Sequence, residues 1–333
     1  ADIVLNQNAV VSVDRILPVG EQINLKCFRN LCSLELDTVP INQLKGLQNV
    51  RPVLKYLKVS NVCSQLNEIL LKCGADMATE YLWENLETAN FSGNHLGHLD
   101  SSLRLLPAIK ELDLSYCELV DAISLFCLPT ITKLNLSYNQ LTSMPALSEN
   151  ASNVLQSLNL SNNLIVDLRG IERFITLEEL NLKGNLISVE QTLVHLNDLA
   201  NLKNLNILRN PVTHGLNYRN HVIRCLHSSI RSCEQFILDD TTLLFSERKV
   251  IGAASGRLKL GSSSSQLLKC LIDSINNILK GKKTNCNRSR EPPVTQLAQP
   301  SSSFYLHKSS TETEREESSS PDNTTTTNKL PPR

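Results

Sequence analysis

Residues 155–165 read LQSLNLSNNLI, and residues 177–187 read LEELNLKGNLI. Both fit L-x-x-L-x-L-x-x-N-x-L, with Ile or Val allowed for Leu. Upstream, the pattern returns at residues 131–141 (ITKLNLSYNQL), 109–119 (IKELDLSYCEL) and 86–96 (LETANFSGNHL), and downstream at 202–212 (LKNLNILRNPV). Two degenerate copies come earlier, at 31–41 (LCSLELDTVPI) and 54–64 (LKYLKVSNVCS). Successive copies start 23, 32, 23, 22, 24, 22 and 25 residues apart. All but one of these intervals lie within the window of a leucine-rich repeat.

Within each copy the x-x-L-x-L segment has the alternation of a short strand, which sends its leucines to one side and its polar residues to the other. A single coil cannot bury its own apolar face, so coils must stack. The expectation is an α/β fold: a leucine-rich repeat solenoid, horseshoe-shaped, with a parallel sheet on the concave face and helices or turns on the convex face. Asn94, Asn139, Asn163, Asn185 and Asn210 stand where the chain leaves each strand. An inward amide there can bond backbone groups of adjacent coils that burial would otherwise leave unsatisfied, so these five are read as a structural ladder. In the copy at 109–119, Cys117 replaces the Asn. The 32-residue interval contains QLNEILLKC at 65–73, whose Leu66, Ile69 and Leu70 share one helical face. A longer convex helix is expected there, with Trp83 in the core beneath it. Helical turns are expected at 101–106 and 194–199.

Composition agrees with stacked coils. Aromatics make up 4% of the 333 residues, against 41% hydrophobic overall, so the core must be mostly aliphatic. Net charge is zero, with 33 basic and 33 acidic residues, which argues against nucleic acid or an anionic membrane as main partner. From residue 254 onward there are 12 Lys/Arg against 7 Asp/Glu, so the tail is mildly basic and the body mildly acidic. The ten cysteines include no C-x-x-C pair and no short-spaced sets that converge with His as zinc sites require. No close-set cysteines flank the array either, so a reducing, cytoplasmic compartment is expected. Residues 1–13 lack the pattern of a signal peptide, and no apolar run is long enough to span a membrane. The chain does not start with Met, which suggests a processed or truncated product.

The repeats are read as spanning 31–212, about eight copies. Residues 1–30 are assigned as an N-terminal cap, with the apolar residues of 14–29 covering the first coil. Residues 213–253 are assigned as a C-terminal cap. There Tyr218-Arg219, Val222-Ile223, Leu226 and Phe236–Asp240 have a spacing that resembles the cap of short-repeat phosphatase regulators. Beyond the cap, residues 266–280 (QLLKCLIDSINNILK) read as an amphipathic helix. The Ser-, Thr- and Pro-rich stretch at 301–333 has too few apolar residues to fold and is expected to be disordered.

Outward strand positions form two columns. One runs Asn90, Asp113, Asn135, Asn159, Asn181, Asn206, and the other Thr88, Glu111, Lys133, Ser157, Glu179, Asn204. Tyr116 and Tyr138 stand at the strand exits of adjacent copies and are candidate anchors, offering apolar area and a hydroxyl at low entropic cost. The candidate partner-binding set is Tyr116, Tyr138, Glu111, Asp113, Lys133, Asn135, Asn159 and Glu179. Any one of the polar members, taken alone, is more simply a residue that solvates the sheet. The chain has no G-x-S-x-G, no G-x-x-x-x-G-K-[ST] and no H-E-x-x-H, so no catalytic, cofactor or metal residues are assigned and no enzyme is expected. The N-x-S sequons at Asn90, Asn135 and Asn159 are by-products of the repeat wording.

Residues 89–114 (ANFSGNHLGHLDSSLRLLPAIKELDL), the upstream Trp83, and the wording of 31–47 resemble the serine/threonine kinase 11-interacting protein family, with nischarin-like proteins more distant. The likeness covers roughly residues 17–244. It implies a cytoplasmic adaptor in protein-kinase signalling or endolysosomal trafficking, with a protein partner, a serine/threonine kinase being the candidate, held on the concave face. It also implies a long C-terminal part, in whose place this chain has its low-complexity tail. The alternative is a regulatory or targeting subunit of a protein phosphatase, and a third reading, an RNA-particle protein, lacks a basic concave stripe. Peripheral membrane association and oligomeric state are left open.

Overall fold

The computed structural model describes residues 9–13, 21–76 and 81–251, all in the first of the two units into which the chain divides. The helix expected at 266–280 and the tail at 301–333 lie outside the described residues, as does part of the assigned N-terminal cap.

The leucine spacing produces a leucine-rich repeat solenoid. One sheet contains, in spatial and chain order, Ala9–Val13, Leu31–Asp37, Tyr56–Ser60, Thr88–Asn90, Glu111–Asp113, Lys133–Asn135, Ser157–Asn159, Glu179–Asn181, Asn204–Asn206, Ile237–Leu238 and Thr241–Thr242. Neighbours are parallel except the final pair, which turns back antiparallel and closes the edge. From Thr88–Asn90 to Asn204–Asn206 the register never slips: Ala89, Leu112, Leu134, Leu158, Leu180 and Leu205 lie side by side. Register is rigid because a one-residue slip would turn every leucine to solvent.

Three aliphatic rows run through the core. Leu86, Ile109, Ile131, Leu155, Leu177 and Leu202 enter before the strands, the row just named lies within them, and Phe91, Leu114, Leu136, Leu160, Leu182 and Ile207 follow. All are buried, each contributing about 1.5–3 kcal/mol where a large side chain fills the site. Cys63, Cys73 and Cys117 are free buried thiols within this core. Burial pushes them up to about 12, 11 and 12 respectively, so they remain protonated small apolar side chains.

Convex segments are mostly short 3-10 turns: Ser101–Leu105, Ile123–Cys127, Ile171–Arg173 and Glu190–Asp198. The long convex helix expected over 65–73 is not formed. A single turn, Asn67–Leu70, is followed by a 3-10 turn at Gly74–Asp76. Cys73 and Gly74 at φ 50° and 66° swing the backbone out of the helix, and on Gly74 a Cβ would meet the Ile41 carbonyl at 2.8 Å. Leu66, Ile69 and Leu70 are nevertheless buried, and the fully buried Trp83 donates its indole N–H to the Leu70 carbonyl at 2.9 Å. The guanidinium of Arg51, only 4% exposed, lies over the rings of Tyr81 and Trp83 at 5.1 and 6.0 Å.

At the N-terminal side, Ala9–Val13 pairs with Leu31–Asp37 as one more parallel strand, so solenoid geometry starts before residue 31. Ile23–Asn24 pairs with Leu44–Lys45 in a separate ribbon. At the other side, the helix Tyr218–Cys225 buries Val222 and Ile223 and packs on the Glu190–Asp198 turn. Arg219 then ties it to the closing segment, pairing with Glu247 at 2.8 Å and donating to the Leu238 carbonyl at 3.1 Å.

Candidate functional site

Each coil leaves its strand through the same turn, and that turn organises the exposed face of the sheet. In the column Asn90, Asp113, Asn135, Asn159, Asn181 and Asn206, every side-chain Oδ1 accepts the backbone N–H two residues on, at 2.9–3.2 Å. These are Asx turns, which short amide or carboxyl side chains form and longer ones do not. Asp113, Asn135 and Asn159 therefore commit one oxygen to their own backbone. The second carboxylate oxygen of Asp113 accepts from Asn135 Nδ2 at 3.0 Å, so a partner meets that oxygen with one hydrogen bond already made.

Three residues past each Asx position the backbone enters the left-handed region. The column runs Gly93, Tyr116, Tyr138, Asn162, Gly184 and Arg209, with φ from 56° to 75°. Glycine and asparagine tolerate this conformation, whereas for other residues it costs about 1–2 kcal/mol. Tyr116 and Tyr138 adopt it at φ 56° and 57°. Their rings stack, centroids 4.1 Å apart and planes 10° from parallel, and remain 55% and 47% exposed. The neighbouring Tyr138 side chain holds the Tyr116 phenol above its ordinary value. The sequence places the two rings one coil apart, but carries no signal for the stack or for the backbone conformation beneath it.

In the other outward column, Lys133 bonds Glu111 at 2.7 Å, and this contact holds the ammonium above its ordinary value. Ser157 donates to Glu179 at 2.9 Å. Glu111, Asp113, Lys133, Asn135 and Asn159 line one shallow depression with Tyr56, and Glu179 lines a second beside it. Tyr56, half-buried, is held above its usual value by burial first, then by the carboxylates of Glu35 and Asp113. Tyr116 and Tyr138 lie beyond the strand exits and do not line either depression.

The ladder positions sit on the opposite, inner side. Asn94, Asn139, Asn163, Asn185 and Asn210 are buried. Each donates through Nδ2 to carbonyls of its own and the preceding coil, as Asn185 does to Leu182 and Leu160, both at 2.9 Å. Each accepts through Oδ1 a backbone N–H of the preceding coil, as Asn185 does from Ile165 at 3.1 Å. Cys117 Sγ donates to the Phe91 carbonyl at 3.2 Å in its coil. Asp239, also buried and one residue past the Leu205–Leu238 pair, accepts from Ile207 N–H at 2.8 Å and from the Tyr218 hydroxyl at 3.3 Å, so a carboxylate closes the strand exit of the last coil. Burial makes its carboxyl a weaker acid, holding it above the usual aspartate pKa against the pull of those hydrogen bonds.

Among the described residues no group of His, Cys, Asp or Glu has metal-site geometry, and no helix is long and apolar enough to cross a membrane. The face offers stacked aromatic area, hydrogen-bonding groups and carboxylates, which are means of holding a macromolecule.

No family model matches the chain. The leucine-rich repeat domain of APL1B, a solved structure, aligns over 59% of this chain and 57% of its own at 21% identity and TM-score 0.43. Among curated proteins, the serine/threonine-protein kinase 11-interacting protein of Gallus gallus is 34% identical over 247 residues, and that of Homo sapiens 34% over 228. These matches cover 72% and 68% of this chain but only 23% and 21% of the relatives, so the chain spans under a quarter of their length. Through its leucine-rich repeat region, the chain belongs to the serine/threonine-protein kinase 11-interacting protein family.

Proposed function

We propose that this chain is a non-catalytic cytoplasmic scaffold in protein-kinase signalling, which holds a protein partner on the outward face of its repeat sheet. The observation that carries this reading is the stacked, half-exposed pair Tyr116 and Tyr138, kept in a backbone conformation that other coils give to Gly93, Asn162 or Gly184. Tyrosine at such a turn carries a backbone cost that glycine and asparagine avoid, whereas an interface gains aromatic anchors. The relatives are named for interaction with a serine/threonine kinase, which makes a kinase of that class the first partner to test. Glu111, Lys133 and Glu179 would form the polar rim around the anchors.

The test is direct binding of purified serine/threonine-protein kinase 11 to the immobilised full chain, with a protein phosphatase catalytic subunit as a parallel probe. Binding of the kinase that weakens at least about tenfold in Glu111→Ala plus Lys133→Ala plus Glu179→Ala supports the reading, a loss of about 1.4 kcal/mol. Binding of the phosphatase instead would transfer the chain to the regulatory-subunit alternative. Kinase binding indifferent to all three substitutions would remove the partner from this face. A role in endolysosomal trafficking adds a location rather than a contact, and is tested by the distribution of the tagged chain between cytosol and lysosomal fractions.

A further inference from the structure

The tyrosine stack has a second face. Consecutive turns are tied by backbone hydrogen bonds from Gly93 N–H to the Ser115 carbonyl at 3.0 Å and from Tyr116 N–H to the Ser137 carbonyl at 3.1 Å. The column therefore advances one strand spacing, about 4.8 Å, per coil. With the rings nearly parallel and Tyr138 covering one side of Tyr116, the other side looks along the column toward Gly93. Gly93 has no side chain, and the next substituent is Asn61, one coil further, whose amide donates to Asp37 at 3.0 Å. Tyr116 and Asn61 thus wall a slot floored by glycine and narrowed by Asn61, whose Oδ1 stands 3.1 Å from the point a Gly93 Cβ would occupy.

The slot opens onto an acidic stretch of the sheet. From Leu31–Asp37 to Lys133–Asn135 the outward side chains include Glu35, Asp37, Glu111 and Asp113 against Lys58 and Lys133. Lys133 is already engaged by Glu111. A planar cation satisfies both features at once: it stacks on an aromatic face and donates in its own plane to flanking carboxylates. A lysine ammonium meets the charge but not the slot, and a phosphate or nucleic-acid backbone is repelled by the same carboxylates.

We infer that the Gly93-floored slot beside Tyr116 receives an arginine side chain from a basic, extended segment of the partner protein. This rests on the sheet-face reading above and specifies its chemistry. The guanidinium lies against the exposed face of Tyr116, with Asn61 Oδ1 on the far side of Gly93 and the Asp113 carboxylate on the near side as its acceptors. Tyr138 backs the ring and holds it upright. The left-handed turns fix both tyrosines at the mouth of the sheet, so the arginine enters an aromatic wall that is already in place.

The repeat itself supplies the control substitutions. Tyr116→Gly with Tyr138→Asn installs residues that Gly93 and Asn162 already occupy at equivalent turns, and Asp113→Asn installs the residue of five other coils while keeping the Asx turn. Fluorescent oligo-arginine and oligo-lysine peptides of equal length are titrated with the full chain at physiological salt. The expected result is oligo-arginine binding at least about fivefold tighter than oligo-lysine, a preference abolished in the double tyrosine variant, whose melting temperature does not fall. Asp113→Asn weakens both peptides. Equal affinity for the two peptides, or a preference that survives removal of both rings, would overturn the arginine assignment. If that occurs while the kinase still binds and is lost with the Glu111, Lys133 and Glu179 substitutions, the sheet-face reading stands without it. If the arginine preference holds but the kinase fails to bind, the slot stands and the partner is a different protein.

Discussion

Replacing Asn163 with Ala tests the inner hydrogen bonding at a coil with folded neighbours on both sides. Four bonds disappear: Nδ2 to the carbonyls of Leu136 at 2.9 Å, Leu160 at 3.0 Å and, at the long limit, Ser161 at 3.4 Å, and Leu141 N–H to Oδ1 at 3.0 Å. Their loss is unequal. The Leu136 carbonyl still accepts from Asn139 and the Leu160 carbonyl from Asn185, both at 2.9 Å, so each keeps a partner and forfeits about 0.5–1 kcal/mol. The Leu141 N–H loses its acceptor in a buried setting, which costs about 1–3 kcal/mol. The sum is about 2–5 kcal/mol. Asn159→Ala, four residues earlier, removes only the half-buried Asx bond to Ser161 N–H at 3.1 Å, and water replaces it for about 0.5–1 kcal/mol. Urea unfolding of both variants, followed by far-ultraviolet circular dichroism, gives the two losses from midpoint and slope. Should Asn163→Ala prove no more damaging than Asn159→Ala, the stacked amides would not be holding adjacent coils together.

Four other outcomes follow from the geometry. Leu158→Asp places a carboxylate in a fully buried row between Leu134 and Leu180, and cooperative unfolding by circular dichroism should vanish or shift down by at least about 4 kcal/mol. Asp239 binds its proton more tightly folded than unfolded, so it favours the folded state most below its ordinary value of 3.8 and progressively less as pH rises through the raised folded value. Asp239→Asn, which keeps an acceptor oxygen for Ile207 N–H and removes the titrating group, should flatten that decline in melting temperature against pH and leave the protein at least as stable at neutral pH. Gly184→Ala puts a Cβ 2.6 Å from Asn162 Oδ1 at φ 70°, whereas Gly97→Ala at φ 61° meets nothing within 4 Å. Calorimetry should therefore show a larger loss for the first than the roughly 1–2 kcal/mol of backbone strain alone in the second. A thiol reagent at mild alkaline pH should label the exposed Cys27 and leave Cys63 and Cys117 unmodified, as mapped by mass spectrometry.

The stacked core was legible because a period near 23 residues repeats every inward position. Leu112, Leu134, Leu158, Leu180 and Leu205 share one role, so even Ala89, undersized for that row, is placed by its neighbours. What lies outside the period was harder to read. Apolar spacing at 65–73 does not distinguish one helical turn from several, and the deciding feature, the positive φ of Cys73 and Gly74, has no periodic signature. The strand Ala9–Val13 lacks the leucine wording, because its pairing is set by the register of Leu31–Asp37. Asp239 stands after a helix, beyond the last copy, so spacing alone gave no sign that its carboxylate caps the Ile207 N–H. On the outer face, alternation identified which side chains point out. It did not reveal that the asparagine column bends its own backbone, nor that two tyrosines meet face to face.

The recurrent left-handed turn also makes the coils interchangeable sockets. Because Gly93, Tyr116, Tyr138, Asn162, Gly184 and Arg209 occupy one backbone geometry, side chains can be traded among them wherever the neighbouring side chain leaves room, which at Gly184 requires Asn162 to be replaced as well. Asn162→Tyr should lengthen the aromatic pile to three rings, and moving the pair to 162 and 184 should carry the grip two coils along the scaffold. Ligand choice in such a protein can drift by single substitutions along one strip while its architecture stands still.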